Sequence, residues 1–254
     1  MTTALSAIRV ESMGKRFGES GPLVLDDVTL SIEPGEFVCL LGASGCGKST
    51  LLNIIAGLEL PTTGSVTVAS GNAAVMFQDA ALFPWLSARR NVELALSLRG
   101  VPRDQRRNQA LELLDVVSLV DAADKRPHEL SGGMRQRVAL ARSLAQDRAV
   151  LLMDEPFAAL DAITRDLLHE QLELVWRRTG RTIVFVTHNV REAARLGQRV
   201  LLMSSRPGRI ANEWRIADTG PRRIESPQVA ELAIEITDQL RKEIRRNARS
   251  HAAA

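Results

Sequence analysis

The sequence contains no tyrosine, and aromatic residues make up only 4% of its 254 positions. It has two cysteines, Cys39 and Cys46, whose spacing fits no metal site and implies no disulfide. No apolar run approaches the ~18 residues that a membrane-spanning helix needs. Residues 1–5 lack the basic and apolar regions of a signal peptide. These absences argue against a disulfide-stapled secreted scaffold and a membrane-spanning chain, and we expect a cytoplasmic protein.

The remaining composition is that of an ordinary globular protein. Hydrophobic residues account for 45% and charged residues for 25% of the chain, which is enough apolar material for a sizeable core. A length of 254 residues fits one large domain, or a core with a smaller subdomain. The formal net charge of +3 is mild and does not by itself indicate a nucleic-acid partner.

A glycine-rich segment at residues 42–50 matches the pattern G-x-x-x-x-G-K-[ST] and lies between an apolar run and a helix-like run. Glycines allow successive backbone N–H groups to converge on one anion, and a helix start adds unpaired donors. We therefore predict a nucleoside-triphosphate site, with Lys48 on the phosphates and Ser49 on Mg²⁺. The predicted contacts are Gly42, Ala43, Ser44, Gly45, Cys46, Gly47, Lys48, Ser49 and Thr50. The alternative is a glycine turn before a buried helix.

Polar residues follow three further apolar, β-prone runs, at 73–77, 150–153 and 183–187. Such unbroken runs, alternating with helices, indicate a parallel sheet buried on both faces. Ligands of these sheets bind beyond the carboxyl ends of the strands. We therefore expect Gln78, the pair Asp154 and Glu155, and His188 to lie near the glycine segment. The alternatives are that the acid pair caps a helix and that His188 is structural.

The other segments predict an α/β fold with additional layers. Residues 7–32 show a period-two pattern typical of a small β-layer, and residues 64–68 suggest a short hairpin. From about 80 to 145 the pattern is helical, which predicts a helical subdomain inserted in the α/β core. Within it, Leu111, Leu114, Val117, Leu119 and Val120 fit one amphipathic helix.

The second half of the chain carries further boundary signals. A helix is predicted from near Asp161 to Arg178, ending at Gly180, and a hairpin around residues 207–208. We divide the chain into a domain at 1–220 and a helical, basic tail at 221–254. The tail's predicted apolar face consists of Ile234, Ile236, Leu240 and Ile244, and a mainly basic stretch follows at 241–249.

Two further features have both a functional and a structural interpretation. Phe17 could stack on an adenine ring, or it could be a core or edge aromatic. Residues 130–137 read Leu-Ser-Gly-Gly-Met-Arg-Gln-Arg and open an amphipathic helix. Ser131, Gly132 and Gly133 could therefore form a second anion site at a helix start, or Ser131 could be an ordinary N-cap.

Taken together, these elements resemble the ATP-binding-cassette (ABC) family of ATPases, over nearly the whole chain to about Arg209. In that resemblance residues 42–50 are the Walker A loop, 130–134 the signature motif and 150–155 Walker B. Residues 158–161, including Ala159, are the D-loop, Gln78 is the Q-loop and His188 is the switch histidine. Met134 replaces a commoner glutamine, Ala158 a common serine, and Phe17 a tyrosine that often stacks on adenine, whereas Asp161 is retained.

The resemblance implies a P-loop NTPase fold and a head-to-tail homodimer with two ATP molecules at its interface. Ser131 and Gly133 of one subunit would close on the ATP that Lys48 of the other subunit holds. The implied Mg²⁺ ligands are Ser49, Gln78 and Asp154, and the implied catalytic residues are Glu155 as base, His188 and Gln78. Gly132 and Asp161 are placed among the residues around the nucleotide.

A finer resemblance is to the ATPases of taurine, alkanesulfonate and nitrate importers, based on residues 78–85, 154–165 and 203–210. Importers of cyanate and thiamine precursors look similar. This resemblance implies an import ATPase at the cytoplasmic face of the membrane, bound to permease subunits and served indirectly by an extracytoplasmic solute-binding protein. Residues 83–85 are our candidate permease contact, the alternative being packing between subdomains.

Two other functions fit the sequence less well. A cassette ATPase acting on DNA or ribosomes usually carries tandem cassettes, coiled coils or zinc insertions, which the sequence does not show, and we expect no nucleic-acid partner. A phosphoryl-transfer kinase would leave the Ser131 motif without a purpose.

Overall fold

The computed structural model describes residues 6–18, 20–158, 160–217, 220 and 222–252, with side chains described up to residue 246. Residues 1–5, Ala159 of the predicted D-loop and the end of the predicted basic stretch therefore lie outside the described residues or side chains. The strands are β1 (Ile8–Arg16), β2 (Leu23–Ile32), β3 (Phe37–Gly42), β4 (Thr63–Val68), β5 (Ala74–Met76), β6 (Val150–Asp154), β7 (Thr182–Val186), β8 (Arg199–Met203) and β9 (Ile210–Arg215). The helices are α1 (Lys48–Ile55), α2 (Ala88–Leu98), α3 (Arg103–Val116), α4 (Gly132–Ala145), α5 (Ala162–Thr179), α6 (Val190–Leu196) and α7 (Pro227–Ala252).

A six-stranded sheet forms the centre of the fold, in the order β5-β6-β7-β3-β8-β9. Its first five strands are parallel, and β9 pairs antiparallel with β8. Every residue of β3, β7 and β8 is buried, as expected for strands covered on both faces. The predicted parallel sheet and the predicted hairpin around residues 207–208 are therefore confirmed.

A second, three-stranded antiparallel sheet has the order β2-β1-β4. The N-terminal β-layer was predicted, but the interpretation of residues 64–68 as a local hairpin is wrong. These residues belong to β4, which pairs with β1, for example Val10 with Val66. The two sheets meet where the Gly208 N–H donates to the Val24 carbonyl at 2.8 Å, beside the glycine-rich segment.

The region between β5 and β6 is helical, with α2, α3, α4 and two short 3₁₀ turns, Val120–Ala122 and Pro127–Glu129. The prediction of one helix through Val120 is wrong, because α3 ends at Val116. Ser118 has a φ of 54°, a left-handed turn that breaks the helical period. Leu114, Val117 and Leu119 are still buried, so the apolar pattern identified core residues on both sides of a turn.

The boundaries of α5 follow from its sequence. The Asp161 side chain accepts a hydrogen bond from the Thr164 N–H at 3.0 Å, and Gly180 ends the helix with a left-handed φ of 60°. Both residues are typical of these positions. Asp154 ends β6, and the helix that follows is capped by Asp161. The alternative that Asp154 and Glu155 are a helix-capping pair is therefore wrong.

The C-terminal helix α7 packs on α6 through a face that differs from the predicted one. Ile236 is buried as expected, but Ile234 is 64% exposed and Ile244 is 48% exposed. The contact with α6 is instead made through Val229 and Ala233, which are spaced as one helical face with Ile236. Among the described residues, no helix is both long and apolar enough to cross a membrane.

A buried histidine on α5 predicts a measurable pH dependence of stability. Burial, followed by the charges of Arg195 and Arg165, lowers the pKa of His169 from 6.5 to about 3. The folded protein therefore keeps this imidazole neutral while the unfolded chain binds a proton below pH 6.5, so stability falls as the pH drops from 6.5 towards 3. We expect His169 to account for a loss of about 2 kcal/mol between pH 7.5 and pH 5.

This expectation is checked by urea unfolding at both pH values. His169→Leu should lose less stability on acidification than the wild type, whereas His128→Leu, at an exposed position, should match the wild type. Equal pH dependence in all three proteins would show that the imidazole does not titrate as described.

Candidate nucleotide-binding site

A cavity of about 470 Å³ opens at the carboxyl edge of the central sheet. It collects residues from four separate segments of the chain. They are Val24, Ser44, Gly45, Gly47, Lys48, Ser49, Thr50, Gln78, Asp154 and Glu155. The glycine segment follows β3, Gln78 follows β5, and Asp154 and Glu155 lie at the end of β6. Because β5, β6, β7 and β3 are consecutive neighbours in the sheet, their ends deliver these groups to one edge.

The glycine-rich loop has the backbone conformation that its glycines permit. Gly45 and Gly47 have φ values of 76° and 100°, in the left-handed region that favours glycine. A Cβ on Gly47 would also lie 2.6 Å from a methyl carbon of Leu25, so this position excludes larger residues. Cys46 faces the core and is 1% exposed, so its side chain does not reach the cavity. Burial raises the pKa of its thiol.

Lys48 is held inside the loop. Its ammonium group donates hydrogen bonds to the carbonyls of Gly42 at 2.9 Å and Ala43 at 3.2 Å. The side chain is nearly buried, at 6% exposure, yet it lines the cavity. A confined positive charge beside backbone N–H groups at the start of α1 is suited to binding phosphate.

The oxygen donors of the cavity fit Mg²⁺. The Ser49 hydroxyl, the Asp154 carboxylate and the Gln78 amide line the same cavity. Burial raises the pKa of Asp154, and the neighbouring Ser49 hydroxyl opposes this effect. Hydroxyl, amide and carboxylate oxygens, completed by substrate phosphates, are ligands that Mg²⁺ prefers. No cluster of three or more His, Cys, Asp or Glu side chains suited to a metal occurs in the described part of the chain.

Glu155 and His188 form a pair close to these oxygen donors. The Nδ1 atom of His188 lies 2.9 Å from Oε2 of Glu155. Glu155 has a φ of 44°, which a non-glycine residue adopts at an energetic cost, and its N–H donates to the Val186 carbonyl at 3.0 Å. This bond to the end of β7 fixes the carboxylate at the cavity, where it could activate water.

The Ser131 motif does not line this cavity. The Ser131 side chain accepts a hydrogen bond from the Met134 N–H at 3.2 Å, so it is an N-cap of α4, as one alternative held. A Cβ on Gly133 would lie 2.5 Å from the Cγ2 atom of Thr164, which explains the glycine by close packing of α4 against α5. Gly132 lines another cavity together with Gln78 and Gln136. Ser131, Gly132 and Gly133 do not line the Lys48 cavity of their own chain.

A family model described as ABC transporter matches residues 25–158. The chain belongs to the ABC transporter family. It is 47% identical over 205 residues to the taurine import ATP-binding protein TauB of Roseobacter denitrificans, covering 77% of this chain and 76% of that protein. It is 48% identical over 207 residues to the nitrate import ATP-binding protein NrtD of Synechocystis, covering 78% of each chain.

Solved structures lead to the same family. The ATP-binding cassette MJ0796, solved as a dimer bound to ADP and Pi after hydrolysis, is 34% identical, with a TM-score of 0.72. This alignment covers 83% of this chain and 99% of MJ0796. The protein cbiO1 of Clostridium perfringens, part of an ABC transporter complex, is 26% identical, with a TM-score of 0.76 and coverage of 83% and 88%. The predicted P-loop NTPase fold and the ABC ATPase activity are thereby established.

Within this ABC ATPase, several predicted nucleotide contacts lie outside the cavity. Phe17 is 48% exposed, with the Lys15 ammonium 4.7 Å from its ring centroid. Asp161 caps α5, and the hydrogen bond from Thr164 lowers its pKa. Gly42, Ala43 and Cys46 belong to the loop through their backbone. A role for these residues in nucleotide binding stays a prediction.

The sequence interpretation missed residues that shape the site. Val24 lines the cavity from β2, and two side chains of α4, Gln136 and Arg142, bond the segment that begins at Gln78. Val24 carries no motif, and the sequence placed it only in the predicted N-terminal β-layer. The presence of Gln136 within residues 130–137 was a signal for the second group.

Proposed function

We propose that this ABC ATPase powers the uptake of a small anionic solute, such as taurine, an alkanesulfonate or nitrate. The observation that carries the proposal is the identity of 47–48% to taurine and nitrate import proteins over about three quarters of the chain. The solute would pass through separate permease subunits, with this chain bound at their cytoplasmic face. An extracytoplasmic binding protein would deliver the solute to the permease.

The active form is proposed to be a head-to-tail homodimer. Lys48 and Gly132 of the Ser131 motif line different cavities of one chain. A single subunit would therefore supply one half of each of two nucleotide sites. A two-fold axis would bring the Lys48 half of one subunit against the Ser131 half of its partner, and it would build both sites from one surface. The negative triphosphate would then join two helix N-termini, those of α1 and α4. The solved relative MJ0796 is a dimer bound to ADP and Pi, which supports dimerisation.

Each residue of the cavity has a proposed role in hydrolysis. Lys48 and the loop N–H groups bind the β- and γ-phosphates, and Ser49, Gln78 and Asp154 would hold Mg²⁺. The metal, when bound, neutralises charge that develops on the phosphate oxygens. Glu155 orients and deprotonates the attacking water. His188, which contacts Glu155, would also contact the γ-phosphate.

Uptake assays with labelled taurine, an alkanesulfonate and nitrate test the import function. In cells whose own copy is deleted, the wild-type gene should restore uptake of one of these anions, and Glu155→Gln should not. Full uptake of all three anions in the deletion strain would contradict the proposal. Copurification of the tagged chain with nucleic acid or ribosomes, and with no multi-span protein, would support the alternative class.

The exposed segment at residues 83–85 is the proposed permease contact. Trp85 is 66% exposed and Phe83 is 38% exposed, so packing between subdomains does not account for Trp85. The Phe83 backbone and side-chain amide of Asn91 exchange hydrogen bonds, with the Phe83 N–H donating to Asn91 Oδ1 at 2.8 Å. This buried asparagine fixes the segment and presents the tryptophan outward.

Trp85→Ala should therefore weaken assembly with the permease and remove most of the transport-coupled ATPase activity, while the isolated subunit keeps its basal rate. Loss of a large aromatic from an interface commonly costs about 2 kcal/mol or more, which is roughly 30-fold in affinity. Pull-down of the permease measures this effect. Leu60→Ala, at another exposed apolar residue (79% exposed), is the matched control. Unchanged assembly of the Trp85 variant would rule out the contact.

A further inference from the structure

Helix α4 is tied to the segment that carries Gln78. The side-chain amide of Gln136 donates a hydrogen bond to the Gln78 carbonyl at 2.7 Å. Gln136 is only 6% exposed, and its Oε1 atom has no hydrogen-bond partner among the described residues. Because a carbonyl only accepts, this bond fixes which end of the amide faces Gln78.

Arg142, lower on the same helix, holds the next part of the segment. Its guanidinium donates to the carbonyls of Ala80 and Ala81, both at 2.7 Å. The Asp79 side chain accepts from the Ala81 N–H at 3.0 Å, and Ala81 has a left-handed φ of 43°. Segment 78–81 is therefore held in one shape by three hydrogen bonds from α4 and one internal bond.

The helix that makes these bonds is itself rigidly placed. Val138, Leu140 and Ala141 on α4 have no exposed surface, so the helix is packed on several sides. Its first turn carries the Ser131 motif, and Gln136 lies five residues later, about 7.5 Å along the axis. The position of Gln78 thus depends on the helix that also presents Ser131.

We propose that Gln136 is a positioning residue that places Gln78 for Mg²⁺·ATP, so that the signature helix sets the geometry of the metal-binding half of its own subunit. The proposal rests on the role of Gln78 given above. Gln136 does not contact the nucleotide cavity, and it acts through the backbone of Gln78. Without the bond, Arg142 still holds residues 80 and 81, but the Gln78 backbone loses its own bond to α4, and the ligand set around the metal would be less well organised.

The experiment measures ATP binding to the purified full-length chain with Mg²⁺ and with EDTA. The ratio of the ATP affinity with Mg²⁺ to the ATP affinity with EDTA is called the Mg²⁺ factor. In Gln136→Leu the Mg²⁺ factor should fall about three- to tenfold, which corresponds to the loss of one hydrogen bond. Metal-free binding should not change. A second variant, Gln136→Met, keeps the approximate length of the side chain but has no hydrogen-bond donor, and it should behave alike. A role limited to stabilising the fold would leave the Mg²⁺ factor unchanged.

A double-mutant cycle separates this inference from the proposed role of Gln78. Gln78→Ala should lower the Mg²⁺ factor, and adding Gln136→Leu to it should produce no further loss. The control is Gln171→Leu, which removes a side-chain amide that donates to the Ser118 hydroxyl at 3.0 Å instead; it should match the wild type. An effect of Gln78→Ala with none of Gln136→Leu would overturn the inference alone. No effect of Gln78→Ala would overturn both.

Discussion

Glu155→Gln is expected to lower the rate of ATP hydrolysis roughly 100- to 10,000-fold, the contribution of a positioned general base. The substitution preserves size and the contact with His188, but an amide cannot accept the proton of water as a carboxylate does. ATP binding should remain, because Lys48 and the loop N–H groups hold the phosphates. Single-turnover hydrolysis and equilibrium ATP binding measure the two effects separately.

The matched control is Glu112→Gln, the same change at an exposed position on α3, which should hydrolyse ATP at the wild-type rate. The backbone of Glu155 gives a further reason to expect a specific effect. Its left-handed φ of 44° and its N–H bond to Val186 hold the carboxylate in place, and such strained positions cluster at functional sites. Normal turnover by the Glu155 variant would remove this residue from the proposed chemistry.

Lys48→Ala should weaken ATP binding itself, by about 10- to 100-fold, the magnitude of a charge-assisted hydrogen bond. Lys48 is only 6% exposed, and its ammonium group is held between the Gly42 and Ala43 carbonyls. A water molecule that enters this place in the variant would not supply the lost positive charge. Isothermal titration with ATP measures the loss.

Lys125→Ala provides the comparison, since it removes the same charge at an exposed site outside the cavity and should bind ATP as the wild type does. A Lys48 variant with wild-type affinity would mean that the loop backbone alone binds the phosphates. The thermal stability of both variants should be recorded, because Lys48 also bonds its own loop.

The parts of the fold that depend on local pattern were predictable from the sequence. Glycines, a lysine and flanking apolar runs encode the loop between β3 and α1, and polar residues at strand ends predicted the edge at which Gln78, Asp154 and Glu155 meet. The capping residues Asp161 and Gly180 gave the limits of α5. Each of these signals consists of residues that lie close together in the chain, so a single sequence is enough to recognise it.

The parts that depend on distant partners were not predictable. Residues 63–68 have the pattern of any short strand, and only the available edge of β1 decides that they pair there. The apolar face of α7 is chosen by α6, so that Val229 is buried while Ile234 is exposed. Gln136 donates a hydrogen bond to a backbone carbonyl 58 positions away. Every residue has such a carbonyl, so the sequence does not indicate which one is bonded. Whether the Ser131 motif of a second subunit completes the Lys48 site depends on the contact surface between the two subunits, which the residue pattern of one chain does not define.

The central claim is that ATP joins the Lys48 loop of one subunit to the Ser131 turn of another. A structure of Glu155→Gln with Mg²⁺ and ATP tests it directly, because hydrolysis is then blocked and the bound state persists. We predict a two-fold dimer in which the γ-phosphate contacts Lys48 from one chain and Ser131 from the other. Saturated ATP sites in separate monomers, or a dimer whose Lys48 and Ser131 turns lie far apart, would contradict this account.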